Sequence, residues 1–415
     1  MPPTTAEAPS MVIVGGGHSG GRACQQLREQ GWTGSIHLVA QEPHLPYERP
    51  PLSKGILTGT QEEQACALLD ESAWAALQVT RHQITATALD TAARQLHLAD
   101  GTVLDYRALL LATGGTPRAL SIPGADLPQV TGLRTIDDAR RLKPQLRAGE
   151  TLVVIGGGFI GLEVAASATA LGMRVVVIEG GSRLMGRVLP EAVATRALDL
   201  HRRHGVDVRL QRLPQAITAC DGGVELLLDD GHRLRAQAVV VGIGIALDTA
   251  LARSAGLTVQ RGIVVDRSLR SSAPDVFACG DVAEFPSALT GQLIRQETWS
   301  NAETQARVAA ANMLGGHKVH DDKPWFWSDQ FDHQLQVSGE PDAGQRVLER
   351  PIGPDAHLWF YLRGDKELVG LCAWGPAAGS AKDFKLARTL VERGWQGEPE
   401  QLADPAVKLK SLMVR

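Results

Sequence analysis

One pattern of apolar and polar positions occurs twice along this chain: a short, wholly apolar run, a cluster of glycines, a stretch with helical spacing, and a second apolar run. The first copy comprises Met11 to Val14, a helix from Gly20 to Gln30, and the strand in SIHLVAQE. The second comprises Leu152 to Ile155, a helix from Gly161 to about Leu171, and the strand in RVVVIEGG. Each copy predicts a β-α-β unit. Between them lie the proline-dense loop EPHLPYERPPLSKG and the strand YRALLLATGG, followed by the loop TPRALSIPG. The second unit closes with AVVVGIGIA, after which IVVDRSLRSSAPDVFACGDVAEF is rich in strand-like runs. From about Trp325 the composition shifts towards tryptophan, and LWFYLR and ELVGLCAW followed by FKLARTLVERG predict a separate α+β module.

The glycines carry the first chemistry. Gly15, Gly17 and Gly20 form one GxGxxG, and Gly156, Gly158 and Gly161 another, each between a strand and a helix. The first glycine permits a tight turn, the second lets the backbone approach a pyrophosphate, and the third lets helix and strand pack closely. Helix N-termini then face the phosphates, so two dinucleotide sites are predicted. The fold class that follows is α/β: two Rossmann-like dinucleotide-binding domains plus a C-terminal α+β domain. The expected boundaries are 8–116 with 245–322 for the first, discontinuous domain, 117–244 for the inserted second, and 323–415 for the third.

Composition narrows the classes. The 415 residues, 44% of them hydrophobic, supply core for two or three domains. A formal net charge of -4, with no long Lys/Arg run, argues against a nucleic-acid partner. No apolar run reaches transmembrane length and MPPTTAEAPS lacks signal-peptide character, so a cytoplasmic location is expected. Cys24, Cys66, Cys220, Cys279 and Cys372 are unclustered, which disfavours disulfides, zinc sites and dithiol redox centres. His201 with His204, and His317 with His320, have spacing that could suit a metal, but their charged surroundings predict solvated surface.

Taken together, both glycine motifs, LLLATGG, DVFACGD and RPPLSK resemble the two-dinucleotide flavoprotein superfamily. RPPLSK, RLMGRVLPE, ETWSN and PWFWSDQ narrow the resemblance, over nearly the whole chain, to the ferredoxin reductases of oxygenase systems. It implies an FAD enzyme that oxidises NADH and reduces a [2Fe-2S] ferredoxin serving an aromatic-ring dioxygenase or a cytochrome P450. It assigns Gly15, Gly17, His18, Ser19 and Gly20 to FAD, with Ile84, Ala112, Thr113, Gly114, Gly280, Asp281 and Thr298. Arg49 and Arg134 also match FAD-contact positions, and Trp299 and Trp327 are aromatic candidates beside the flavin or towards the ferredoxin. Relatives often carry an aspartate where this chain has Gln41; either Gln41 or Glu42 is left to meet the adenosine ribose.

For NAD, the resemblance implies Gly156, Gly158, Phe159, Ile160, Gly161, Arg187, Ile243, Gly244 and Glu297. Glu179, at the end of RVVVIE, suits a ribose diol and repels a 2′-phosphate, which favours NADH despite Arg183 nearby. Lys54 and Glu163 resemble a pair flanking the flavin, in which the ammonium would stabilise negative charge as hydride arrives. Arg307, Lys408 and Lys410 are basic candidates for meeting an acidic ferredoxin.

Rival readings differ in acceptor or role. A disulfide reductase needs a redox cysteine where this chain has Pro50-Pro51-Leu52-Ser53-Lys54. A rubredoxin reductase is the nearest alternative and differs mainly in its acceptor. A flavoprotein with mainly an interaction role, like the apoptosis-inducing factors, would favour basic regions that this sequence lacks.

Overall fold

The computed structural model describes residues 10–186 and 189–414. The chain divides into two compact units, each discontinuous in sequence. The first holds residues 10–48, 66–116 and 247–324, and the second holds 49–65, 117–186, 189–246 and 325–414.

The first unit is built on a mixed sheet. Thr80–Gln83, Ile36–Ala40, Ser10–Val14 and Val103–Leu111 lie side by side in parallel. The long strand Val103–Leu111 serves two neighbours: its end pairs in parallel with Val276–Ala278, and its start pairs antiparallel with Gln95–Leu98. Met11, Val12, Ile13 and Leu109 to Leu111 are fully buried, which is why these strands read as unbroken apolar runs: helix covers what would otherwise be a solvated face. The helices His18–Glu29 and Trp299–Met313 pack on one another.

The second unit contains a five-stranded parallel sheet in the order Asp207–Leu210, Arg174–Glu179, Thr151–Ile155, Ala238–Val241 and Val130–Gly132. An antiparallel ribbon, Pro214–Cys220, Gly223–Leu228 and Arg233–Ala236, packs its apolar face with this sheet. The C-terminal segment forms a five-stranded antiparallel sheet ordered Trp325–Gln330, His333–Gly339, Glu367–Pro376, Ala356–Arg363 and Arg346–Gly353. Helix Ala377–Glu392 covers it, with Phe384, Leu390 and Val391 packed among Leu358, Phe360 and Leu371.

Both fingerprint helices begin earlier than the apolar pattern indicates, at His18 and Phe159. The third glycine of each motif therefore lies inside its helix. Gly20 is there because a Cβ would stand 1.9 Å from the Gly15 carbonyl oxygen, and a Cβ on Gly161 would stand 2.1 Å from that of Gly156.

Candidate nucleotide and charge-pair sites

In the first unit the fingerprint turn is packed against the ATG segment. Gly15, at φ +116°, receives the strand's end in a conformation that suits glycine, and a Cβ there would lie 2.2 Å from the Ala112 carbonyl oxygen. Thr113 Oγ1 donates to the Asp248 carbonyl (2.6 Å), and the Asp248 amide donates to that of Gly114 (3.0 Å). The helix that follows has Gly17 at its N-cap and no side-chain cap, so its first amides are free of an internal competitor for an anion. By contrast, Asp70, Thr135 and Thr298 cap the helices they precede.

His18 Nε2 lies 2.9 Å from Glu303 Oε2, which also accepts from Arg22 Nε at 2.7 Å, while the buried His18 Nδ1 has no partner among the described residues. Burial would raise the Glu303 carboxyl, but His18 and Arg22 outweigh it and hold the group below its ordinary value. Gly280 sits at φ +76° beside Ser19, and its amide donates to Gln305 Oε1 at 2.8 Å, leaving Gln305 Nε2 buried and unmet among the described residues. The tight glycine cradle, the uncapped helix and the orphaned polar atoms fit a bound pyrophosphate cofactor such as FAD.

The first fingerprint lacks the acid of the second for a visible reason. Gly15 and Gly156 donate equivalent strand bonds to Val39 and Ile178, so Ala40 is the counterpart of Glu179. Gln41, one residue further on, is exposed and donates to Thr85 Oγ1 (3.1 Å), next to Ile84, and Glu42 accepts from the Tyr47 hydroxyl at 2.5 Å. The carbonyl of Asp281 accepts from Arg295, which is paired with Glu297 at 2.6 Å. Trp299 meets His18 edge-on, with ring centroids 5.3 Å apart.

The second fingerprint repeats the cradle. A Cβ on Gly156, at φ +107°, would meet the Gly242 carbonyl oxygen at 2.4 Å, and Gly158 again leaves its helix without a side-chain cap. Glu179 is clamped by two backbone donors: the Gly157 amide to Oε2 at 2.7 Å and the Gly181 amide to Oε1 at 2.6 Å. Arg183 donates to the Gly186 carbonyl at 3.1 Å. Ile160 is exposed, Gly244 lies at φ +100° after Ile243, and Phe159 packs edge-on with Phe326. Arg187 lies outside the described residues.

Lys54 and Glu163 meet. The Lys54 Nζ is 3.1 Å from Glu163 Oε2, and Asp329 Oδ2 is a second carboxylate 3.8 Å away. Glu163 is only 4% exposed and also accepts from Ser53 Oγ (2.5 Å, on Oε2) and Ser328 Oγ (2.8 Å, on Oε1). One turn further along the same helix, Ser167 Oγ donates to the Ser53 carbonyl at 2.7 Å, so positions i and i+4 grip the Pro-Pro-Leu-Ser turn together. Trp327 stacks with Trp325 at 5.1 Å and donates through Nε1 to Asp329 at 3.1 Å. Arg49 donates to the Arg134 carbonyl, and the Arg134 amide donates to Asp138 at 2.9 Å.

Several participants escaped the sequence reading. Glu303 and Gln305 belong to no motif, and Ser53, Ser328, Asp329 and Gln330 lie within RPPLSK and PWFWSDQ without a role assigned to them; only the fold brings them to the positions described. The histidine pairs were expected on solvated surface; this is corrected for one member of each, since His201 and His320 are buried. His201 lies on the apolar face of Glu191–Arg203, where it faces Phe331 and bonds Gln330. Burial pushes its imidazole down from 6.5 to about 4. The unfolded chain therefore binds a proton that the folded one refuses between those values, and stability, complete above pH 6.5, falls as pH drops through this window. We expect His201→Asn to lose less stability than the parent between pH 7 and pH 5 in urea unfolding, by about 2 kcal/mol. Burial also pushes the thiols of Cys24, Cys279 and Cys372 up to about 12, which removes them as thiolates.

Residues 9–306 match the pyridine nucleotide-disulphide oxidoreductase family, and residues 325–413 match a reductase C-terminal domain. The chain is 40% identical to the ferredoxin–NAD(+) reductase component of an anthranilate 1,2-dioxygenase system from Burkholderia cepacia, over 98% of this chain and 100% of the relative. It is 37% identical to rhodocoxin reductase from Rhodococcus erythropolis (98% and 95% covered) and 36% identical to putidaredoxin reductase from Pseudomonas putida (97% and 96%). Among solved structures, the covalent putidaredoxin reductase–putidaredoxin complex superposes with a TM-score of 0.93 at 35% identity, covering 98% of each chain. The ferredoxin reductase for the CYP199A2 system of Rhodopseudomonas palustris gives 0.91 at 35% identity, covering 97% and 99%.

Proposed function

The chain belongs to the ferredoxin–NAD(+) reductases of oxygenase systems, within the pyridine nucleotide-disulphide oxidoreductase family, and from that membership we propose how its own residues divide the work. It is an FAD-containing oxidoreductase that takes electrons from NADH and delivers them to a ferredoxin. FAD, when bound, accepts a hydride equivalent and releases electrons one at a time, which matches a two-electron donor to a one-electron acceptor. We assign a [2Fe-2S] centre to that acceptor.

The observation that carries the division of labour is the pair of glycine cradles, each leading into a helix with no side-chain cap. We assign the first, Gly15, Gly17, His18, Ser19 and Gly20, to the FAD pyrophosphate, with Thr113, Gly280 and Asp281 completing that set. Gly156, Gly158 and Gly161 take the NADH pyrophosphate, and Glu179 takes its adenosine ribose. Lys54, held by Glu163, supplies a fixed positive charge for the hydride-transfer step, in which negative charge builds up. No helix among the described residues is long and apolar enough to cross a membrane, and we place the enzyme in the cytoplasm.

The acceptor assignment is tested by adding an acidic [2Fe-2S] ferredoxin or a rubredoxin to the NADH-reduced enzyme; ferredoxin reduction is expected, and reduction of rubredoxin alone would overturn it. Arg307 is already paired with Asp322 at 3.4 Å, whereas Lys408 and Lys410 are exposed. A charge-steered encounter slows as salt rises.

Glu179 gives a second test. Its carboxylate cannot rotate away from an incoming 2′-phosphate without giving up two backbone amides. A charge repulsion at short range supports a preference for NADH over NADPH of about a hundredfold in kcat/KM. Glu179→Ala should shrink the ratio towards one, chiefly by improving NADPH; equal use of both cofactors by the parent enzyme would refute the assignment.

A further inference from the structure

Glu163 is nearly inaccessible to water, and a carboxylate there needs donors on both oxygens to be held in one orientation. Among the described residues Lys54 and Ser53 occupy Oε2, and Oε1 is met by Ser328. Ser328 has one proton to give, and a free hydroxyl rotor could turn it elsewhere. Gln330 Nε2 lies 3.3 Å from Ser328 Oγ and donates to it, so the serine proton is left for Glu163. The amide of Gln330 is oriented in turn by its other end, because Gln330 Oε1 lies 3.1 Å from His201 Nε2. Gln330 Oε1 can only accept, which assigns the proton to His201 Nε2; Nδ1 is buried without a partner among the described residues, and burial keeps the ring neutral.

The result is a chain of donors pointing one way: His201 to Gln330, Gln330 to Ser328, Ser328 to Glu163. Ser328 and Gln330 are fully buried, and His201 is too. Members of such a chain polarise one another in a low-dielectric interior. The outcome bears on Lys54 because the ammonium has a choice: Asp329 stands 3.8 Å away, with its oxygens already engaged by Trp327 Nε1 and Gln334 Nε2. A Glu163 free to turn would release Lys54 towards that more exposed carboxylate.

We propose that Ser53, Ser328 and Gln330, anchored by His201, are positioning residues that fix the Glu163 carboxylate on the Lys54 ammonium. The inference rests on the assignment of the Lys54–Glu163 pair to hydride transfer. None of these residues is required to touch either nucleotide.

The test uses the full-length FAD-loaded enzyme and three variants, Ser328→Ala, Gln330→Leu and Ser53→Ala, with two readouts. The first is the rate at which an amine-directed reagent labels Lys54, quantified by peptide mass spectrometry. It is expected to rise severalfold in all three variants and to the same level as in Glu163→Gln. The second is the rate constant for reduction by NADH in stopped flow, expected to fall about tenfold with the KM for NADH unchanged, the size of losing one hydrogen bond to a charged group. In a Glu163→Gln background the Ser328→Ala change should add nothing, whereas a purely structural defect would add its full effect. Unaltered Lys54 labelling, or additive effects in that background, would overturn the proposal. A Lys54→Met enzyme reduced at the parent rate would instead overturn the underlying assignment, and the labelling result would still decide whether the donor chain positions Glu163.

Discussion

Lys54→Met is expected to slow anaerobic reduction of the enzyme by NADH about 100- to 1000-fold while the protein still binds FAD. The magnitude is that of removing one preorganised electrostatic donor from a site where charge develops. The preorganisation is visible in the structure. A surface lysine pair in water contributes little, because the ammonium moves and is screened. Here the ammonium is 23% exposed and is held against a carboxylate that is itself fixed by two serine hydroxyls. Methionine keeps most of the stem's volume and removes the charge, and the two hydroxyls remain to satisfy Glu163, so folding should survive. Glu163→Gln removes the partner rather than the cation and should cost less, about tenfold. The double variant should resemble Lys54→Met alone, because the carboxylate acts only through the ammonium. Stopped-flow traces at saturating NADH decide the matter: a Lys54→Met rate within a factor of two or so of the parent would remove Lys54 from the reaction.

The two halves of the fold were legible to different degrees for a physical reason. Strands buried on both faces leave unbroken apolar runs, and the glycines at their ends are demanded by local geometry, so Met11 to Val14 and Leu152 to Ile155 declared their structure. Lys54 and Glu163 were legible only through resemblance. They are far apart in sequence, and nothing in the spacing of PPLSK or GGFIGLE requires them to meet. Ser328 and Gln330 alternate along one strand just after the aromatic run Trp325 to Trp327, and their role depends on helix faces distant in sequence. The burial of His201 is not legible in HRRH, which is charged on average, whereas burial on a helix is decided residue by residue: its neighbours Arg202 and Arg203 are exposed while His201 turns inward. The acid of the first fingerprint could not be settled from spacing alone either, since Ala40 occupies the position that Glu179 fills in the second.

The order of the two cofactors is open to a test that uses the smallest possible change. Gly20→Ala adds one methyl group, and that carbon would stand 1.9 Å from the Gly15 carbonyl oxygen and 3.4 Å from Ile13 Cγ2. The first of these neighbours is backbone within the turn itself, so no side chain can swing aside. The helix must move off the strand, which carries its N-terminal amides away from the phosphates and adds about 1–3 kcal/mol of overpacking. Gly161→Ala does the same to the second fingerprint, with the new carbon 2.1 Å from the Gly156 oxygen. If the first cradle holds FAD, Gly20→Ala should purify nearly colourless and take up added FAD poorly. Gly161→Ala should remain yellow yet bleach with NADH only at concentrations raised about a hundredfold or more, as the loss of a pyrophosphate site implies. Gly31→Ala serves as the control for backbone effects, because Gly31 follows the C-cap of the first fingerprint helix at φ +95°, with nothing among the described residues within 4 Å of a new Cβ. It should cost about 1 kcal/mol of stability through its left-handed conformation and leave the flavin in place. A colourless Gly161→Ala beside a yellow Gly20→Ala would reverse the assignment of the two fingerprints, and with it the argument that Glu179 selects the nicotinamide cofactor.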